Sequence, residues 1–129
     1  MIKVFIADDQ ELIRESLKIV LDQNEDMQVI GVAENGQILM DMLQDGQPDV
    51  ILMDVRMPVM NGYEATRAIR ELPQEITYRL PIIAMTADAF EEDVQAARQA
   101  GMDRHVSKPI RVPELMGAID ELLSEAANE

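Results

Sequence analysis

Residues 50–62 read Val-Ile-Leu-Met-Asp-Val-Arg-Met-Pro-Val-Met-Asn-Gly, and this stretch constrains the chain more than any other. A run of large apolar residues stops abruptly on the carboxylate of Asp54, and Pro58 and Gly62 then prevent a simple continuation as strand or helix. A short apolar run bounded by turn formers reads as a strand buried on both faces. Such strands belong to parallel sheets covered by helices. Asp54 is therefore expected at the carboxyl edge of a sheet, where ligands bind in open α/β folds.

The rest of the chain supplies the partners such a strand needs. Residues 3–7 form a β-rich run that stops at Asp8-Asp9, and Leu12, Ile13, Leu17, Val20 and Leu21 then fall on one helical face. Residues 27–33 are β-rich again and meet the turn signal Glu34-Asn35-Gly36. Ile38, Leu39, Met42 and Leu43 mark a second helix, which Gly46 and Pro48 end. After the central strand, residues 49–54, Asn61 and Glu64 form a capping-box pair. Ala65, Ile69 and Leu72 give that third helix its inner face, and Pro73 closes it. Residues 74–79 read as a polar surface connection, and residues 80–85 as a fourth strand ending at Thr86. Asp88 with Glu91 is a box-like helix start, and Val94 and Ala97 point inward until Gly101. Residues 104–107 form a short fifth strand. Leu115, Met116, Ile119, Leu122 and Leu123 form a last amphipathic helix, and Ser124–Glu129 reads as a linker-like tail.

Strand and helix thus alternate five times. The pattern predicts an α/β fold: a five-stranded parallel sheet with right-handed crossovers and five helices on its two faces, in one domain over residues 1–129. Aromatic residues are only 3% of the chain, so the core must be aliphatic, with Met filling gaps. The net charge of −14 argues against nucleic acid and anionic membrane surfaces as direct partners, since both need Lys and Arg. The absence of cysteine excludes disulfides and thiol chemistry. The first apolar run is too short for a signal peptide and no stretch approaches a membrane span, so a cytoplasmic protein is expected.

Four predicted strands end on residues able to act together: Asp8 and Asp9, Asp54, Thr86 and Lys108. In a parallel sheet these ends share one edge. If the first and third strands are neighbours, Asp8, Asp9 and Asp54 meet in one crevice. Three carboxylates in one place repel, so either their pKa values rise or a cation joins them. Mg²⁺ binds through carboxylates plus a phosphate. Thr86 can donate to a phosphoryl oxygen, and Lys108 supplies a compact positive charge for another. A carboxylate facing a metal and a Lys is a nucleophile for a phosphoryl group. Singly, each residue is more readily a cap, a turn or a loop residue; their common position at strand ends carries the reading.

Ile6-Ala7-Asp8-Asp9, residues 52–62, Ala84-Met85-Thr86-Ala87 and Val106-Ser107-Lys108-Pro109 together resemble the receiver domain of two-component response regulators, of the chemotaxis-receiver kind. The likeness runs in order along essentially the whole chain. It implies the flavodoxin-like strand order 2-1-3-4-5 and a phosphorylation-dependent signalling switch that is not a conventional enzyme. It implies Asp54 as phosphoacceptor, Asp9 as direct Mg²⁺ ligand and Asp8 acting on the metal through water, with the Arg56 backbone carbonyl completing the set. Thr86 would be the switch hydroxyl and Lys108 the phosphate-pairing cation, with a cis peptide before Pro109. Arg56 and Asp88 would stand at the pocket mouth. The implied partners are a histidine kinase or histidine phosphotransfer protein, and an output protein or domain reached through the fourth helix, fifth strand and fifth helix, bearing Phe90, His105 and Ile110. The resemblance also allows a homodimer formed on phosphorylation.

The chain departs from the usual receiver pattern at His105, which stands where an aromatic toggle is common, and at Arg111-Val112-Pro113, which lacks a good side-chain helix cap. Its first third is similar to receivers attached to helix-turn-helix regulators, and residues 84–109 to receivers of hybrid kinases. A phosphatase of the haloacid dehalogenase type needs a second Asp two residues after the nucleophile, where this chain has Arg56. A flavin-binding module needs a Ser/Thr/Gly loop after the first strand, where this chain has Asp8-Asp9-Gln10-Glu11. A receiver used for docking without phosphorylation would not need the acceptor set that is present.

Overall fold

In a computed structural model, residues 1–73, 80–87 and 91–127 are described. The elements are β1 (Ile2–Ala7), α1 (Glu11–Asp22), β2 (Met27–Ala33), α2 (Gly36–Leu43), β3 (Val50–Asp54), α3 (Gly62–Glu71), β4 (Ile82–Thr86), α4 (Glu91–Ala100), β5 (Arg104–Ser107) and α5 (Val112–Ala127). All strand pairs are parallel, in the order β2-β1-β3-β4-β5. This is the doubly wound, flavodoxin-like arrangement that the resemblance implied. The expected connection 74–79, the box-like start at Asp88 and the side chain of Phe90 lie outside the described residues.

β3 is the central strand of the order, and every one of its residues is buried. Its side chains alternate between two cores. Ile51 and Met53 pack with Phe5, Leu39, Ile69 and Ala97 on the face covered by α2, α3 and α4. Val50 and Leu52 pack with Ile6, Leu21, Leu115 and Ile119 on the face covered by α1 and α5. The β2 and β5 edges frame the sheet, and exposed His105 lies on β5.

Local chemistry fixes where the elements begin. The Asn61 side chain accepts from Glu64 N at 2.9 Å while Asn61 N donates to Glu64 Oε1 at 3.1 Å, the expected capping box. Asn35 caps α2 by accepting from Ile38 N at 2.9 Å. Gly62 is required by crowding: a Cβ there would collide with the Asp54 carbonyl oxygen and lie 2.9 Å from Val55 Cα. Between them, Met60 N donates to Pro58 O at 2.7 Å in a three-residue turn centred on Val59, whose φ is +67°. A β-branched residue with positive φ is strained, so the surrounding structure holds this loop against its own preference.

Two expectations differ from the structure. Leu12 was placed on the inner face of α1 but is 76% exposed, because the buried stripe turns through Leu17 and Leu21 instead. The tail from Ser124 is not linker-like: α5 continues to Ala127, and Glu125 Oε1 accepts from Arg104 Nη2 at 2.6 Å.

At the amino edge of the sheet, Arg70 of α3 joins three elements. Its guanidinium donates to Leu80 O at 2.7 Å, twice to Gly101 O at 2.8 and 3.0 Å, and to Asp103 Oδ2 at 3.0 Å. The same Asp103 oxygen accepts from Ile82 N at 2.9 Å. Replacing Arg70 by Ala removes the guanidinium from two backbone carbonyls and from the Asp103 carboxylate, which keeps Ile82 N, so Arg70→Ala should lower unfolding free energy by about 2–4 kcal/mol. Arg70→Lys should recover only part of it, because one ammonium cannot reproduce the planar fork. Urea denaturation of the two variants against the parent measures both effects.

Candidate phosphoacceptor and metal site

Parallel strands bring their carboxyl ends to one edge, and pairing decides which ends touch. Ala7 pairs with Met53, Asp54 with Met85, and Thr86 with Ser107. Asp8, Asp54 and Thr86 therefore stand side by side at the end of the sheet, all but sealed from solvent at 0%, 4% and 1% exposure. Asp9, one residue further, is exposed. Lys108 follows β5, its N–H donating to Thr86 O at 2.7 Å, and the Lys108–Pro109 peptide is cis.

The Lys108 ammonium lies 2.9 Å from Asp8 Oδ2 and 3.4 Å from Asp54 Oδ1. The shorter contact is one of charge rather than an aligned hydrogen bond. One carboxylate oxygen from each of Asp8, Asp9 and Asp54 lies within 4.8 Å of the others. The side chains of Asp8, Asp9, Asp54 and Lys108 thus converge, and Thr86 stands beside them at the end of β4. Arg56, whose carbonyl was expected to join them, follows Asp54 by two residues, and its N–H donates to Asp54 Oδ1 at 3.4 Å.

Electrostatics follow from burial and this crowding. Burial pushes the Asp54 carboxyl up to about 6; the Asp8 charge pushes the same way, and Lys108 and the Arg56 N–H pull back. Burial pulls the Lys108 ammonium down, but Asp8 and Asp54 outweigh it, and the net shift is upward. The buried Thr86 Oγ1 finds no hydrogen-bond partner among the described residues.

The donor set suits a hard divalent ion. Mg²⁺ and Ca²⁺ take oxygen ligands, and Mg²⁺ needs only one or two carboxylates beside phosphate oxygens and water. Three clustered carboxylates against one ammonium leave the crevice short of positive charge. The residues present therefore fit Mg²⁺.

The sequence model of the response regulator receiver domain matches residues 4–120. The chain belongs to this family. It is 34% identical over 122 residues to the chemotaxis protein CheY of Halobacterium salinarum, covering 95% of this chain and 97% of that protein. It is 42% identical over 96 residues to the transcriptional regulatory protein LnrK of Bacillus subtilis, covering 71% of this chain but only 44% of the regulator. Among solved structures, the receiver domain of the sensor histidine kinase PA1611 from Pseudomonas aeruginosa superposes with a TM-score of 0.83 at 31% identity. That alignment covers 95% of this chain and 98% of the other, whose structure holds a magnesium ion in its active-site cleft. This receiver domain is accordingly a signalling domain of two-component systems, acting by phosphorylation, and not an enzyme that turns over free substrate.

One positioning group was not anticipated. Arg14, in the second turn of α1, donates from Nη1 to the Asp8 backbone carbonyl at 2.7 Å, while Gln10 N donates to Asp8 Oδ1 at 2.9 Å. The available signal was an Arg one helical turn inside a helix that follows an acidic loop.

Two outcomes follow. Asp54 has a folded-state pKa above its unfolded value, so in metal-free protein it binds more protons folded than unfolded between pH 3.8 and about 6. Stability falls as pH rises through that window. Asp54→Asn should therefore stabilise the metal-free protein at pH 7 by about 2–3 kcal/mol, and the gain should vanish below about pH 4. Urea titrations in chelator at both values check it. Arg14→Ala should loosen the Asp8-Asp9 loop and weaken Mg²⁺ binding several-fold, read as a smaller Mg²⁺-dependent rise in Tm. Removal of a mere bystander cation would instead strengthen Mg²⁺ binding.

Proposed function

We propose that Asp54 is the phosphoacceptor of this receiver and that the phosphoryl donor is a phosphohistidine of a partner histidine kinase or histidine phosphotransfer protein. The observation that carries the reading is that Lys108 meets buried Asp54 at the sheet edge where β4 also places Thr86, whose hydroxyl has no hydrogen-bond partner among the described residues. An Asp54 carboxylate oxygen attacks phosphorus, the new P–O bond forms as the P–N bond breaks, and the imidazole leaves with the electron pair and takes up a proton. This chain's own tasks are to aim the carboxylate and offset charge, which is most of what phosphoryl transfer asks of a protein. Asp8, Asp9, Asp54 and the Arg56 backbone carbonyl would hold Mg²⁺, which when bound neutralises charge on the phosphoryl oxygens.

Once the acyl phosphate exists, the Asp54 oxygens are no longer available to Lys108 as a carboxylate pair. Lys108 and Thr86 turn to the phosphoryl oxygens. A hydrogen bond to a charged group contributes about 1.5–3 kcal/mol. Two such bonds shift a two-state equilibrium by about 10²-fold or more. The surface that responds is α4, β5 and α5, including exposed His105 and half-buried Ile110. An output protein or domain reads it there, or a second copy of the chain pairs through it. Water slowly hydrolyses the acyl phosphate, with exposed Arg56 at the mouth setting the rate. The protein works in the cytoplasm; among the described residues no helix is long and apolar enough to cross a membrane.

Incubation with Mg²⁺ and a small acyl phosphate should give one base-labile, acid-stable adduct per chain. Asp54→Asn should abolish it, and an unchanged yield would remove Asp54 from the role. Lys108→Ala and Thr86→Ala should still accept the phosphoryl group while losing most of the amide chemical-shift response on β5 and α5.

A further inference from the structure

Between α2 and α3, away from the carboxylate crevice, the surface holds an open groove of about 710 Å³. That volume lies in the range of ligand sites. Met40, Met60, Ala68 and Leu72 line it and are only half buried, while Asp41 and Asp45 stand exposed among its lining residues. None of the described residues that line it is basic. The last turn of α2 carries no basic residue either, so the negative end of that helix faces the groove uncompensated. An apolar floor rich in unbranched Met accepts varied apolar side chains. The acidic wall and the helix end demand positive charge beside them. A trough between two helices suits a third helix laid into it.

We infer that this groove is a docking site for a basic amphipathic helix of a partner protein, whose Leu-like face covers Met40, Met60 and Leu72 and whose Lys or Arg side chains meet Asp41, Asp45 and the α2 carboxyl end. The site touches the loop that leaves Asp54. Met60 contributes its side chain to the groove, while its carbonyl accepts from Gly36 N at 2.9 Å and its N–H closes the strained turn at Val59. An occupant therefore presses on the segment joining β3 to α3. The inference stands on the groove alone and does not depend on which residue is phosphorylated.

The test uses the full chain and a dye-labelled amphipathic peptide of Leu and Lys about five turns long. Fluorescence anisotropy should show saturable binding, and Ala68→Glu should weaken it about tenfold, although this change makes the protein more acidic. A matched Gln28→Glu on the exposed face of β2 should leave it unchanged. General attraction to an acidic protein predicts the opposite, equal or tighter binding in Ala68→Glu, and that result overturns the assignment. Leu72→Ala, which adds no charge, should also weaken binding and serves if Ala68→Glu fails to fold. With ¹³C-methyl methionine, the Met40 and Met60 signals should move on peptide addition while buried Met85 stays still. Unmoved Met40 and Met60 signals would overturn the inference, as would the same shifts appearing without peptide at rising protein concentration, which would make the occupant a second copy of this chain.

Discussion

Everything at the carboxyl edge depends on one ammonium placed between two buried carboxylates. Lys108 lies 2.9 Å from Asp8 and 3.4 Å from Asp54, and neither acid has solvent to disperse its charge. Repulsion from Asp8 already adds to the burial that lifts Asp54, and Lys108 opposes both. With it, the cluster is held together but not neutralised, because Asp9 adds a third carboxylate to the same few ångströms. The crevice is thus balanced: compact enough to exist empty, acidic enough to draw a divalent ion. That balance needs four strand ends in one place, which the order β2-β1-β3-β4-β5 supplies by making β1 the neighbour of β3 and β5 the neighbour of β4.

The sheet's two edges do different work. At the amino edge Arg70 ties α3 to Leu80, two residues before β4, and to the α4–β5 corner through backbone carbonyls, contacts with little tolerance for displacement. At the carboxyl edge the corresponding contacts run through side chains that can turn: a Lys stem, a Thr hydroxyl, a carboxylate. A rearrangement that begins at Asp54 can therefore spread along α4 and β5 from one end while the other end stays fixed. This is the hinge-like division expected of a bistable element, in which a packed interior cannot deform gradually.

Much of this was legible in the chain because the signals were physical rather than local. An apolar run stopping at Asp54 requires a buried strand, and five alternations of strand and helix require a parallel sheet; both readings hold in the structure. The convergence of Asp8, Asp9, Asp54, Thr86 and Lys108 followed from topology once the family's strand order was assumed, since the alternation does not set neighbour order. What stayed hidden depends on tertiary angles. Leu12 fits the helical face in a wheel but lies in the first turn of α1, ahead of the buried Leu17 and Leu21. The tail from Ser124 looks polar because one face of α5 is solvated, and Arg104, distant in sequence, meets Glu125 there. Arg70 and Arg14 bind backbone carbonyls, and a carbonyl acceptor leaves no mark on composition or spacing. Positive φ at Val59 defies the residue's preference outright.

The buried Thr86 hydroxyl shows why a sound fold keeps such features. A buried hydroxyl that, like this one among the described residues, has no partner costs about 1–3 kcal/mol, and a well-packed Val of similar shape would avoid it. The raised pKa of Asp54 is a penalty of similar size in the same crevice, and the turn at Val59 adds backbone strain a few residues on. The first two costs share one location and one sign: each makes the resting crevice less stable than an inert version of the same sheet, while the turn at exposed Val59 lies in the loop beyond it. An added anion with its metal would give the hydroxyl an acceptor and Lys108 a second one, so the penalties shrink together when the site is filled. A structure whose instabilities are gathered where charge is to arrive will respond to that charge more strongly than one in which they are scattered. This arrangement, more than any single contact, makes the domain a switch rather than a passive acceptor.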